Sequence, residues 1–100
     1  MIKHIVVMKM AEKADGRSGS ENLELLKAKL EALPGLIDEI VSYEVGVNIL
    51  ETPNSYDLVL VSEFESIETL KTYVAHEEHQ KVIQFLNVVV ADRKVADYEF

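Results

Sequence analysis

The chain is predicted to fold as one α+β domain with the order β-α-β-β-α-β. Three observations carry this. Four segments show the two-residue apolar alternation of a strand. Two longer segments repeat apolar residues with the period of a helix. Each helical segment lies between two of the strands. That order is the ferredoxin-like pattern, with an antiparallel sheet, and 100 residues suit a single domain, 1–100.

The first strand is read over 2–10, "IKHIVVMKM". Ile2, His4, Val6, Met8 and Met10 point one way, and Lys3, Ile5, Val7 and Lys9 the other. "AEKADGRSGS" (11–20) reads as a polar loop that ends in a helix cap at Ser18 or Ser20. "ENLELLKAKLEAL" (21–33) sets Leu23, Leu26, Leu30 and Leu33 on one face, and Pro34-Gly35 closes the helix. A second strand is expected over 39–50, with Val41, Tyr43, Val45 and Val47 on one side. After the turn "ETPNS", a third is expected over 56–65, with Leu58, Leu60 and Phe64 opposite Val59 and Val61. The second helical segment, 66–89, opens on a Ser66 cap with Thr69 nearby. Its two apolar stripes meet around His76–His79, where a bend or break is expected. A fourth strand covers 91–100.

Two helices on one face of four strands leave the other face bare. A second copy, sheet to sheet about a two-fold axis, would cover it, so a homodimer with a cavity between the sheets is expected, the bare face carrying His4 or its alternating neighbours.

The net charge of −8 comes without any stripe of Lys or Arg, so neither nucleic acid nor an anionic membrane surface is an expected partner. The absence of cysteine excludes disulfides, thiolate metal sites and cysteine nucleophiles. The N-terminal apolar run is interrupted by Lys3, His4 and Lys9, unlike a signal peptide, and no segment has the ~20 apolar residues of a membrane span. The expectation is a cytoplasmic protein.

"KTYVAHEEHQKV" (71–82) holds the residues with chemical potential: Tyr73, His76 and His79, spaced by three. Three readings stand side by side. Two imidazoles with a carboxylate can hold zinc or iron, but H-E-E-H is not H-E-x-x-H and no third ligand is visible. A histidine can take a proton beside a carbonyl while a tyrosine hydroxyl steadies the enolate. Or the three line a pocket rim and satisfy backbone groups. On an even helix they drift apart by ~60° per step, so convergence asks for a break between them. His4 reads as a satisfied interior or interface histidine, or as a pocket wall; Asp97, beside Tyr98, reads as a carboxylate that orients a histidine or as an exposed strand residue.

"MIKHIVVMKM", "YDLVLVSEFES", "LKTYVAHEEH" and "ADYEF" together resemble the stress-responsive α/β-barrel (Dabb) domain family over nearly the whole chain. The resemblance implies a dimer of ferredoxin-like subunits forming one α/β barrel. In Y-x-x-H-x-x-H the chain resembles olivetolic acid cyclase-like polyketide cyclases, which close a ring by aldol chemistry. By that resemblance Tyr73 and His79 are the catalytic pair, and His4, His76 and Asp97 contact the ligand; no metal or cofactor is assigned. The family usually has Pro where this chain has Glu77, and the cyclase has a histidine where this chain has Leu58. Some plant members hold a divalent cation on backbone carbonyls that match Leu30, Leu33 and Leu36. Haem-degrading relatives of the architecture use an Asn–Trp–His set, and this chain has no Trp. The expected ligand is a small apolar carbonyl or phenolic compound, with nothing basic available for a phosphate. A non-catalytic dimeric binding or stress-response module is the alternative.

Overall fold

A computed structural model describes all 100 residues. Four strands form one antiparallel sheet in the order β4-β5-β1-β6: β1 (Ile2–Met10), β4 (Ser42–Val47), β5 (Leu58–Phe64) and β6 (Val90–Glu99). A two-residue ladder, β2 (Lys13–Ala14) with β3 (Arg17–Ser18), precedes the first helix, α1 (Gly19–Glu31). The second helical segment is two helices, α2 (Ile67–Ala75) and α3 (Glu77–Val89). All three helices lie on one face of the sheet, so the molecule is only 17 Å along its thinnest axis. This is the expected ferredoxin-like arrangement.

Burial follows the alternation read from the sequence. In β5, Leu58, Leu60, Ser62 and Phe64 are buried, and the residues between them are half-buried. In β1, Ile2, Val6, Met8 and Met10 join the same core, which Leu26 and Leu30 of α1, Leu33, Ile37, Tyr73 and Val82, Leu86 and Val89 of α3 complete. His4 shares their side of β1 and packs edge-on against Phe64 and Tyr73, so it faces the helices. The bare face carries its alternating neighbours instead: Lys3, Ile5, Val7 and Lys9, beside Val59 and Val61.

Several boundaries differ from the sequence reading, each for a local reason. The loop 11–20 contains a hairpin because Asp15 and Gly16 both take positive φ, 54° and 74°, which a tight two-residue turn of this hand requires. Ser18 caps α1 with a capping box: its hydroxyl accepts from the Glu21 N–H, and the Glu21 carboxylate accepts from the Ser18 N–H. Asn22, rather than Leu23, turns fully inward in the first turn, where its amide donates to the Ala14 carbonyl at 2.9 Å and ties helix to hairpin. After α1 a short 3-10 turn, Leu33–Gly35, carries Pro34 at its start. The second strand is confined to Ser42–Val47, because beyond Val47 the pairing with β5 ends. The last strand starts at Val90, directly from α3, with a register shift between Lys9 and Met10 of β1.

Candidate functional site

The break between α2 and α3 builds the site. His76 ends one helix and starts the next with φ −60° and ψ 138°, an extended conformation inside a helical stretch. Its Nδ1 accepts from the Glu78 N–H at 3.1 Å, so the imidazole serves as the N-cap of α3. The kink turns Tyr73 and His79 into one neighbourhood, with ring centres 4.4 Å apart. On an unbroken helix the spacing of six would have carried them apart.

Tyr73 is fully buried, and its hydroxyl lies 2.6 Å from that of Tyr43 on β4. Burial pushes the Tyr73 phenol up to about 12, against a smaller downward pull from the Tyr43 hydrogen bond. Tyr43 is also raised, by burial first and then by Tyr73. Both phenols therefore stay protonated near neutral pH, and one hydroxyl proton of the pair is free to serve a third acceptor. His79 Nδ1 lies 2.9 Å from the Val74 carbonyl, an acceptor only, so Nδ1 carries the proton and Nε2 the lone pair. Burial holds His79 below 6.5, outweighing the Val74 bond, and electrostatic repulsion from the neighbouring His4, Arg93 and His76 acts in the same direction. The result is a neutral imidazole with a free basic nitrogen.

These groups stand beside a cavity of about 280 Å³ between the sheet and α3. His4, Tyr73, His79, Gln80 and Arg93 supply its polar lining, and Val6, Leu60, Val82, Leu86 and Val95 are among the apolar walls. The cavity is thus within one subunit, under the helices. His4 is held from behind: its Nδ1 bonds the Asp97 carboxylate from the facing position of β6, which orients the ring.

Of the five residues singled out in the sequence, the structure gathers Tyr73, His79 and His4 at the cavity, with Asp97 behind His4. His76 does not line the cavity; it shapes the break. Glu77 at the first position of α3 stands where a proline would also fit, so the break survives the loss of the family's usual Pro. Leu58 is a buried core residue, not a pocket group. No three His, Asp or Glu side chains are grouped as a metal site needs. The Leu33 carbonyl accepts from the N–H groups of Leu36 and Ile37, both at 2.9 Å. Two residues escaped the sequence reading. Tyr43 had a signal, a polar tip on the inward side of an apolar strand. Arg93 corrects the expectation that nothing basic is at hand: it alternates with Val95 and Asp97 on the cavity side of β6.

No helix is long and apolar enough to cross a membrane. The profile of the "Stress responsive A/B Barrel Domain" family (Dabb) matches residues 2–100. An uncharacterized protein of Streptomyces coelicolor is 32% identical over 100 residues, covering all of both chains. A dimeric protein of unknown function and ferredoxin-like fold from Bacteroides fragilis superposes with a TM-score of 0.86 at 31% identity, over 99% of this chain and 95% of that one. A protein of Arabidopsis thaliana does so with a TM-score of 0.80 at 26% identity, over 100% and 95%.

Proposed function

The chain belongs to the family of stress-responsive A/B barrel domains, and on that premise we propose that it binds a small, mostly apolar carbonyl or phenolic compound in the cavity under α3 and performs acid–base chemistry on it. One observation carries this: a neutral His79 with a free Nε2 and a protonated Tyr73 stand together at the wall of an otherwise apolar cavity.

The chemistry is an aldol ring closure of a polyketide-like, 1,3-dicarbonyl chain, as the likeness of Tyr73-x-x-His76-x-x-His79 to polyketide cyclases suggests. His79 Nε2 takes a proton from the carbon between two carbonyls. The Tyr73 hydroxyl donates to the oxygen on which the enolate charge collects. The enolate carbon forms the new C–C bond to a distant carbonyl carbon, whose oxygen takes the proton back from the imidazolium. Loss of water then gives the unsaturated ring, with no change in overall oxidation level. Leu60, Val82 and Leu86, all buried, keep bulk water from the enolate. His4, steadied by Asp97, contacts the ligand from the sheet side, and His76 holds the geometry through the helix break.

The subunit works as a homodimer joined through the bare sheet face, in keeping with the dimeric Bacteroides fragilis relative. A non-catalytic binding module is the second reading. Its support is that Tyr73 and His79 Nδ1 each already have a partner inside the chain, which holds them in place without a ligand.

The test is incubation with the N-acetylcysteamine thioester of a 3,5,7-trioxo acyl chain, following ring closure by mass spectrometry. Acceleration over buffer that falls by 10²–10⁴-fold in His79→Ala is the expected result. Equal acceleration by His79→Ala removes His79 from the chemistry. Binding without acceleration by the unaltered protein selects the binding module.

A further inference from the structure

The cavity lining has an unusual charge for this protein. The chain carries 18 acidic residues against 10 Lys and Arg, yet no Asp or Glu is among the fourteen residues that line the cavity, and one arginine is. Arg93 makes no ion pair with any carboxylate of the chain. Its nearest acidic neighbour in sequence, Asp92, is held by the Tyr56 hydroxyl at 2.7 Å and by Lys94 at 3.9 Å. On the cavity side of β6, Asp97 is taken by His4, and Glu99 lies beyond it, opposite Ile2.

The register places Arg93 at one end of the site. It faces Met8 across the β1–β6 ladder, while Asp97 faces His4. Four steps along the strand separate the two positions, roughly 13 Å. Along the strands, His4 therefore lies toward one end of the site and Arg93 toward the other, with Val6 and Val95, themselves a facing pair, between them, and the Arg93 charge still reaches His79.

Building on the cavity reading above, we infer that Arg93 is the anchor for a carboxylate, so that the ligand is an organic monoanion: an acid whose apolar body lies along Val6, Val95 and Leu86 and whose far end reaches Tyr73 and His79. A guanidinium offers a fork of N–H donors that matches a carboxylate, and it does so here without a competing acid in the chain. A neutral ketone or phenol leaves that fork unused. The inference adds a specificity-determining residue and narrows the ligand class from carbonyl compounds in general to carboxylic acids.

The test uses 4-phenylbutanoate and its uncharged match, 4-phenylbutanamide, with affinity measured by calorimetry and the His79 imidazole resonances followed by NMR. For the unaltered protein the acid is expected to bind about tenfold or more tightly than the amide, the range of a charge-assisted hydrogen bond. Arg93→Gln, at an exposed position, is expected to bring the two within about twofold, and Arg93→Lys to restore part of the preference. If both probes bind equally and both shift His79, the cavity reading stands and the role of Arg93 falls. A preference that persists in Arg93→Gln also overturns it. If neither probe binds by millimolar concentration or moves His79, the cavity reading falls and takes this inference with it.

Discussion

His79 has the most to say at the scale of single residues, because its environment fixes both its tautomer and its charge. Its folded pKa lies below 6.5 chiefly through burial. Between the folded and unfolded values the unfolded chain binds more protons, so stability rises with pH there and is lost as pH falls below about 6.5. Chemical denaturation at pH 7.5 and 5.5 is expected to show that loss, and His79→Gln, which retains a donor for the Val74 carbonyl, to show less of it. The same shift sets the rate profile. Activity is expected to rise on a limb centred below pH 6.5 and to stay flat until the Tyr73 phenol ionises near 12; an upper limb near 10 would mean that an exposed phenol, and not Tyr73, is the acid. Tyr73→Phe is expected to lower the rate by about 10²-fold or more, as for loss of an oxyanion donor. Tyr43→Phe is expected to have a smaller effect, since Tyr43 is outside the cavity lining and its hydroxyl reaches the chemistry only through that of Tyr73; steady-state kinetics on both variants ranks them. His4 was legible in the sequence as a polar group on an apolar strand face, and Tyr73 and His79 by their spacing and the Y-x-x-H-x-x-H likeness. The Tyr43–Tyr73 bond was not, for it joins residues 30 apart whose meeting depends on β4 and α2 packing over the same core.

Among the elements, the break at His76 does most to make the site, and its existence was legible while its cause was not. Two apolar stripes out of phase announced a bend or break around His76–His79. That the His76 ring caps the new helix is a hydrogen bond no periodicity encodes. The extended φ and ψ of His76 are those a following proline enforces, and the Glu77 N–H, at the first position of α3, has no intrahelical partner to lose. Glu77→Pro is therefore expected to be tolerated and to stabilise by roughly 0.4–1 kcal/mol through the unfolded state. A fall in melting temperature would show that Glu77 contributes more through the charge it sets at the helix start than a ring contributes by stiffening it. The hairpin before α1 was missed for a different reason: Asp15-Gly16 is a strong turn signal, but its flanking strands are two residues each and show no alternation. Gly16 has φ +74° and open space where a Cβ would go, so Gly16→Ala is expected to cost about 1–2 kcal/mol from backbone conformation alone, read by urea denaturation.

For the whole molecule, the question is what one layer of helices on one face of a sheet leaves undone. Apart from His4, the helix-facing residues of β1 and β5 are buried, whereas Ile5, Val7, Val59 and Val61 on the other face are only half-covered within a single chain. They form facing pairs, Ile5 with Val61 and Val7 with Val59, in the two central strands, so the apolar patch is continuous and central. Charged residues frame it: Lys3 with Glu63 at one end of the ladder, and Lys9 and Lys94 toward the other side. A central apolar patch with a charged rim is the anatomy of an interface between copies, and a two-fold axis lets each copy present the same patch to the other. This face was legible from alternation alone, except that the strand was oriented with His4 open to either side; only the packing of Phe64 and Tyr73 on His4 assigns it to the helices. The assignment has a consequence for mutation. Val61→Glu puts a charge in the middle of the patch without touching the cavity, since Val61 points away from it. It is expected to turn a species of twice the 11.3 kDa chain mass into a monomer in sedimentation at micromolar concentration, while 4-phenylbutanoate still shifts the His79 resonances. An unaltered protein that sediments as a monomer would refute the dimer outright. A variant that becomes monomeric and also loses the ligand would show that the partner subunit completes the cavity, and the site would then belong to the pair of chains.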